Sequence, residues 1–188
     1  GVGVACDAAF EQPMNLARLR TYTDAIAADN DATWKARLMI ETGRFPTAQA
    51  GTYWLRVVDK KFSRGKTYVI AENCMNGLQK PALAAMLRHE LGGGTPTPYE
   101  PLFTSEWAFP IIAHGDESRA ETVDIVGNLC CAADVLTEDF TGPELAVGDL
   151  IEVRNAGAYA CTLTAQRFSS HQPPRELLVY GDGRVETE

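Results

Sequence analysis

The sequence predicts an α/β unit followed by a mainly antiparallel β domain, and three observations lead there. The stretch "MNLARLRTYTDAIAAD" places Leu16, Leu19, Tyr22 and Ile26 at helical spacing, which predicts an amphipathic helix ending near Asp29. The next run, "ARLMIE", is short and apolar and predicts a buried strand. From about Thr52 the texture changes to β-rich runs separated by Gly and Asp. The expected division is therefore residues 1–51, of α/β character, and residues 52–188, a β domain.

Between the two parts, "TGRFPTAQAG" reads as a turn opening a brief helix that Gly51 stops. "TYWLRVVDKKFSRGKTYVIAEN" reads as two strands joined by the Ser63-Arg64-Gly65-Lys66 turn. "ETVDIVGNL", "DLIEVRNAG" and "AYACTLTA" supply three further β-runs. Two stretches, Leu91 to Pro101 ("LGGGTPTPYEP") and Ala113 to Glu121 ("AHGDESRAE"), read as surface loops. There is no internal repeat and no low-complexity tract.

Charge and composition narrow the function. A formal net charge of −8 argues against a nucleic-acid partner or an anionic membrane surface, both of which reward basic patches. No apolar run approaches the ~18 residues of a membrane span, and no basic-then-apolar leader is present. Five cysteines at irregular spacing fit a reduced, cytoplasmic protein better than a disulfide scaffold. No CxxC pair or His/Cys cluster predicts a structural metal. The chain opens "GVGVACDAAF", without methionine or lead-in, and reads as a piece of something longer.

Three segments carry candidate chemistry. In "VGNLCCAADVL" the adjacent Cys130 and Cys131 are poorly placed to bond each other, because neighbours on an extended backbone point to opposite faces. One of them can be chemical while the other packs or lines a pocket; alone, either is also the ordinary small buried hydrophobe. "IETGR" puts an acid at the end of the expected strand, then Gly43 and Arg44 at a helix start. That pattern suits an anionic ligand with a basic ring, Gly43 allowing close approach and Arg44 adding charge-assisted hydrogen bonds. Read alone it is more often a strand end with a capping turn. "NAGAY" is a tight glycine turn delivering Tyr159, and alone it reads more readily as a hairpin corner.

In this order, "ETGR", "VGNLCCAADVL" and "LAVGDLIEVRNAGAY" resemble the C-terminal half of the alanine-racemase-like pyridoxal phosphate decarboxylases, the group containing the diaminopimelate and ornithine decarboxylases. The resemblance spans nearly the whole chain, most densely Arg37 to Leu83 and Val123 to Val179. It implies the last units of a (β/α)8 barrel followed by a β-sandwich-like domain, with the earlier barrel half and its Schiff-base lysine outside this chain. It implies pyridoxal 5'-phosphate as cofactor. Glu41 would pair with the pyridine nitrogen; Gly43, Arg44 and Tyr159 would hold the phosphate, with Gly1 as the last glycine of a phosphate loop. Cys130 would reach into the neighbouring subunit's site of a homodimer and reprotonate the carbon that lost carbon dioxide.

The departures from the family pattern bear on substrate. Cys131 stands where the family has the carboxylate gripping the substrate's far end. Where diaminopimelate decarboxylases read Arg-Pro-x-Leu-Tyr, this chain reads "KPALA", so Lys80 replaces arginine and Ala84 replaces tyrosine. "FSSHQPPRELLV" resembles the ending of a subgroup that decarboxylates a glutamyl group carried on an acyl carrier protein. The expectation is a decarboxylase of specialised metabolism whose substrate has a neutral or carrier-tethered far end. The alternatives are a diamino-acid decarboxylase with a drifted site and a non-catalytic regulatory relative.

Overall fold

The computed structural model describes residues 14–33, 39, 41–90 and 108–187. The first element, α1 (Leu16–Thr33), starts where the Asn15 side-chain oxygen accepts the Arg18 N–H at 2.9 Å, an N-cap that satisfies one otherwise orphaned donor. It runs past the expected end at Asp29. Of its apolar stripe, Leu16, Tyr22 and Ile26 are each more than half exposed. Most of the strand expected over "ARLMIE" lies outside the described residues; Met39 and Glu41 are exposed and belong to no strand. Helix α2 (Arg44–Thr47) and a 3-10 turn (Ala48–Ala50) follow, and Gly51 turns the backbone to extended, as the "TGRFPTAQAG" pattern predicts. Pro46 is tolerated because it sits in a first turn, where no i−4 partner is needed.

The rest is built on a six-stranded sheet in the order β3-β6-β1-β2-β4-β5. Its strands are β1 (Tyr53–Ser63), β2 (Lys66–Ala71), β3 (Ile111–His114), β4 (Asp116–Gly127), β5 (Val135–Glu144) and β6 (Leu150–Val153). Four pairings are antiparallel, and β2 runs parallel to β4. Helix α3 (Gln79–Glu90) follows β2, and the edge strands β3 and β5 approach each other, giving the sheet a barrel-like curl. A separate hairpin, β7 (Leu177–Val179) and β8 (Val185–Thr187), closes the described chain.

Period-two alternation explains the core. In β1, Leu55 and Val57 are buried while Trp54 and Arg56 face out. Their inward neighbours are Val69, Val123, Ile125, Ile151 and Val153, all at most 2% exposed. Each such side chain contributes on the order of 1.5–3 kcal/mol through its removal from water. The Arg64-Gly65 turn joins β1 to β2 with φ of 53° and 84°, the doubly positive form whose twist matches a tight hairpin.

Two expectations need correction. Residues 113–121 form no loop: His114 ends β3, Gly115 bends the chain, and Asp116 begins β4. This part of β4 is charged and exposed because it is the outer end of a strand paired only with β5, so its composition resembles a loop. "AYACTLTA" is no strand either. Tyr159 has φ 58° and Cys161–Leu163 form a 3-10 turn, because this segment folds over the sheet's end instead of extending it. The expected loop at Leu91 to Pro101 lies outside the described residues. Helix α3, strand β5 and the β7–β8 hairpin had no counterpart in the sequence reading.

Candidate active site at one end of the sheet

The strand register gathers the motifs. Tyr53 pairs with Val153, Ala71 with Gly127, Val126 with Val135 and Ile111 with Val153. The starts of β1, β3 and β5 and the ends of β2, β4 and β6 therefore lie at the same end of the sheet. That end receives the α2 segment with Gly43 and Arg44, the turn after β2 leading to Lys80, the β4–β5 loop with Cys130 and Cys131, and the turn after β6 with Tyr159.

Gly43, Arg44 and Tyr159 form one cluster. A Cβ on Gly43 would collide with the Tyr159 hydroxyl, and the Arg44 guanidinium carbon lies 5.3 Å from the Tyr159 ring centre. The two segments are docked by backbone hydrogen bonds: Gly157 N–H donates to Ala48 O and Ala156 N–H to Gly51 O, both at 2.9 Å. Gly157 has no room for a side chain because Thr47 O and Gly51 N occupy it. Buried Asn155, at φ 60°, donates from Nδ2 to Ala108 O at 3.1 Å and fixes the turn that presents Tyr159. Tyr159 itself is about half exposed, with its hydroxyl lying against Gly43.

The cysteine loop is anchored elsewhere. Cys130 is exposed and Cys131 half-buried, and both are free thiols. Asp134, 3% exposed, accepts the Met75 N–H at 2.7 Å and the Leu129 N–H at 2.9 Å. Burial, followed by the nearby Asp134 carboxylate, pushes the Cys74 thiol well above its usual range and keeps it a hydrogen-bond donor to Asp134. Lys80 lies half-buried in the first turn of α3, whose first N–H, that of Gln79, donates to Thr164 Oγ at 3.1 Å. Glu41 lies exposed in coil ahead of Gly43, and Gly1 falls outside the described residues. Among the described residues no three His, Cys, Asp or Glu side chains cluster as metal ligands, and no helix is long and apolar enough to cross a membrane.

The turn through Asn155 and Gly157 is legible in "NAGAY", but its partners are not, and the roles of Cys74 and Thr164 escaped the sequence reading. Their partners lie far away in the chain, so only the tertiary fold shows them. A guanidinium and a phenol hydroxyl, brought together over a glycine that has no side chain of its own, make a donor set that fits a phosphate ester, whose oxygens accept several charge-assisted hydrogen bonds.

Residues 6–157 match the pyridoxal-dependent decarboxylase C-terminal sheet domain, and the chain belongs to that family. It is 28% identical to the L-glutamyl-[BtrI acyl-carrier protein] decarboxylase of Niallia circulans over 89% of this chain and 37% of that protein. It is 29% identical to a diaminopimelate decarboxylase of Neisseria meningitidis serogroup B over 97% of this chain and 37% of that protein. Among solved structures it resembles Helicobacter pylori diaminopimelate decarboxylase complexed with L-lysine, with TM-score 0.67, 23% identity and coverage of 100% of this chain and 39% of that one. The lysine decarboxylase of Selenomonas ruminantium matches with TM-score 0.58 and 23% identity over 83% of this chain and 36% of that one. The chain thus spans a little over a third of the length of these relatives.

Proposed function

We propose that the chain is the C-terminal part of a pyridoxal phosphate-dependent amino-acid decarboxylase, residues 1–51 completing a barrel and residues 52–188 forming the sheet domain. The convergence of Gly43, Arg44 and Tyr159 supports the reading: two motifs more than a hundred residues apart meet, bringing together groups able to donate to a phosphate. Gly43 N–H, Arg44 and the Tyr159 hydroxyl hold the cofactor phosphate. Glu41 accepts a hydrogen bond from the pyridine N–H and keeps that nitrogen protonated. When bound, the cofactor's protonated ring draws off the electron pair left by departing carbon dioxide. Cys130, exposed in the isolated chain, reaches the site of a second copy and returns a proton to the carbon that lost carbon dioxide. The working unit is a homodimer with shared sites, and the Schiff-base lysine comes from the preceding barrel half.

Cys131 sets the substrate class. A carboxylate facing a substrate ammonium is a charge-assisted pair worth about 1.5–3 kcal/mol, and a thiol supplies no such partner. Lys80 and buried Ala84 likewise replace the groups that would grip a charged far end. Next to Cys131 begins an open groove of about 670 Å3, lined by the small side chains of Ala84, Ala85, Ala132 and Ala133 and, further along, by the carboxylates of Glu138 and Asp139. The substrate is therefore an amino acid with a neutral far end, as in a thioester or amide on an acyl carrier protein. A diamino-acid substrate is the second reading, favoured by the diaminopimelate decarboxylases among the relatives. Assaying the full-length enzyme with free diamino acids and with glutamyl-carrier thioester side by side separates them. Efficient turnover of a free diamino acid overturns the neutral-end reading; its appearance only in a Cys131→Glu variant supports it.

A further inference from the structure

We propose that Asp134 is a positioning residue that fixes the Cys130–Cys131 loop to the turn after β2 and so sets the direction in which Cys130 presents its thiol. The inference rests on reading Cys130 as the proton donor. The loop between Gly127 and Val135 is exposed at its tip, and Leu129 and Cys131 are only partly covered, so packing alone leaves its course open. Asp134 supplies what packing does not. Its Oδ1 accepts Met75 N–H from the turn after β2, and its Oδ2 accepts Leu129 N–H immediately before Cys130. Its own N–H donates to Cys131 O at 3.1 Å, while Gly127 N–H donates to Asp134 O at 2.8 Å and closes the loop's base. One buried carboxylate thus ties both sides of the cysteine pair to a turn of another strand.

Two neighbours are shaped around that carboxylate. A Cβ on Gly127 would overlap its atoms, so glycine is required there for the carboxylate to sit where it does. Cys74, at 2% exposure, donates its thiol to the same group. A buried anion is costly unless its lone pairs are occupied; here two N–H groups and a thiol occupy them. The thiol also belongs to the segment that Met75 anchors, so Cys74 reinforces the same link.

The test uses the full-length protein containing this chain, with two independent readouts. The first is alkylation by iodoacetamide without substrate, followed at each cysteine by mass spectrometry. The exposed Cys130 reacts faster than the half-buried Cys131 in the wild type, and Asp134→Asn lowers that ratio at least about fivefold by loosening the loop. The second is kinetic: kcat falls about tenfold or more, a part of what a positioned proton donor contributes, with KM within about threefold. Gly127→Ala, which displaces the carboxylate without removing it, gives the same pattern, and Cys74→Ser loses less than Cys74→Ala. A folded Asp134→Asn enzyme with wild-type alkylation ratio and kcat overturns the proposal. Should that variant not fold, a Cys74→Ala ratio equal to wild type overturns it, and a lowered one supports it. If Cys130→Ala leaves kcat intact, the proton-donor reading fails, while the alkylation ratio still decides whether Asp134 holds the loop.

Discussion

Tyr159 covers Gly43: its hydroxyl occupies the space that any side chain at position 43 would need. This contact joins the segment before β1 to the segment after β6 and makes the glycine a structural requirement of the tyrosine's position. Gly43→Ala is accordingly expected to push Tyr159 aside, and Tyr159→Phe to remove only the hydroxyl. Loss of one hydrogen bond to a charged phosphate costs about 1.5–3 kcal/mol, so each variant should weaken pyridoxal phosphate binding by about 10- to 100-fold. Because both act through one hydroxyl, the double variant should be far from additive. Equilibrium titration of the cofactor into full-length variants checks this, and additive losses would separate the two residues.

The 188-residue chain alone should form no lysine adduct with the cofactor. Lys60 donates to Glu121 at 2.9 Å and to Leu145 O at 2.8 Å, and Lys66 pairs with Asp124 and Asp139. Asp124 and then Asp139 hold the Lys66 ammonium above its usual range, whereas attack on an aldehyde needs the free amine. None of Lys35, Lys60, Lys61, Lys66 and Lys80 sits in a motif resembling the family's Schiff-base lysine, so borohydride reduction followed by peptide mapping should trap no cofactor on a lysine of this chain.

A shared site makes complementation the test of assembly. Full-length Cys130→Ala mixed with a variant lacking the Schiff-base lysine should recover part of the activity, since each heterodimer regains one intact site. Formed heterodimers without activity would put Cys130 in its own subunit's site.

Acid stability should depend on Asp124. Burial tends to raise its carboxyl, but the Asp139 N–H and the Lys66 ammonium outweigh burial and leave it below the usual range. A lowered folded-state value means the stabilisation is present above the unfolded value of about 3.9 and disappears as pH falls through the folded value. Melting temperature should therefore drop below about pH 4, and Asp124→Asn should flatten part of that drop while lowering stability near neutrality. Glu152, held down by Arg154 and then His114, acts in the same direction. An Asp124→Asn melting profile parallel to wild type would remove this carboxylate from the account.

Legibility in the sequence followed the range of the interactions. The β1–β2 hairpin was readable because alternation and a two-residue turn are local signals, and the short helical run from Arg44 to Ala50 because Gly51 stops it. Residues 158–165 were not, since their course is set by Tyr159 settling over Gly43 and by Thr164 capping α3. The charged start of β4 misled because pairing with β5, not composition, makes it a strand. The site motifs were visible as ordered segments resembling a family. The anchoring of the cysteine loop was not, because Asp134 meets Met75 only through the sheet.

Strand β6 carries a consequence for synthesis. It is the partner of both β1 and β3, yet it follows β5 in the chain. Until it emerges, the Tyr53–Arg56 edge of β1 has unpaired N–H and C=O groups flanked by exposed Trp54, a template onto which a second nascent chain can add a strand. Chains ending before Leu150 are therefore expected to aggregate while those extending past Tyr159 stay dispersed, a difference that sedimentation of a truncation series would show.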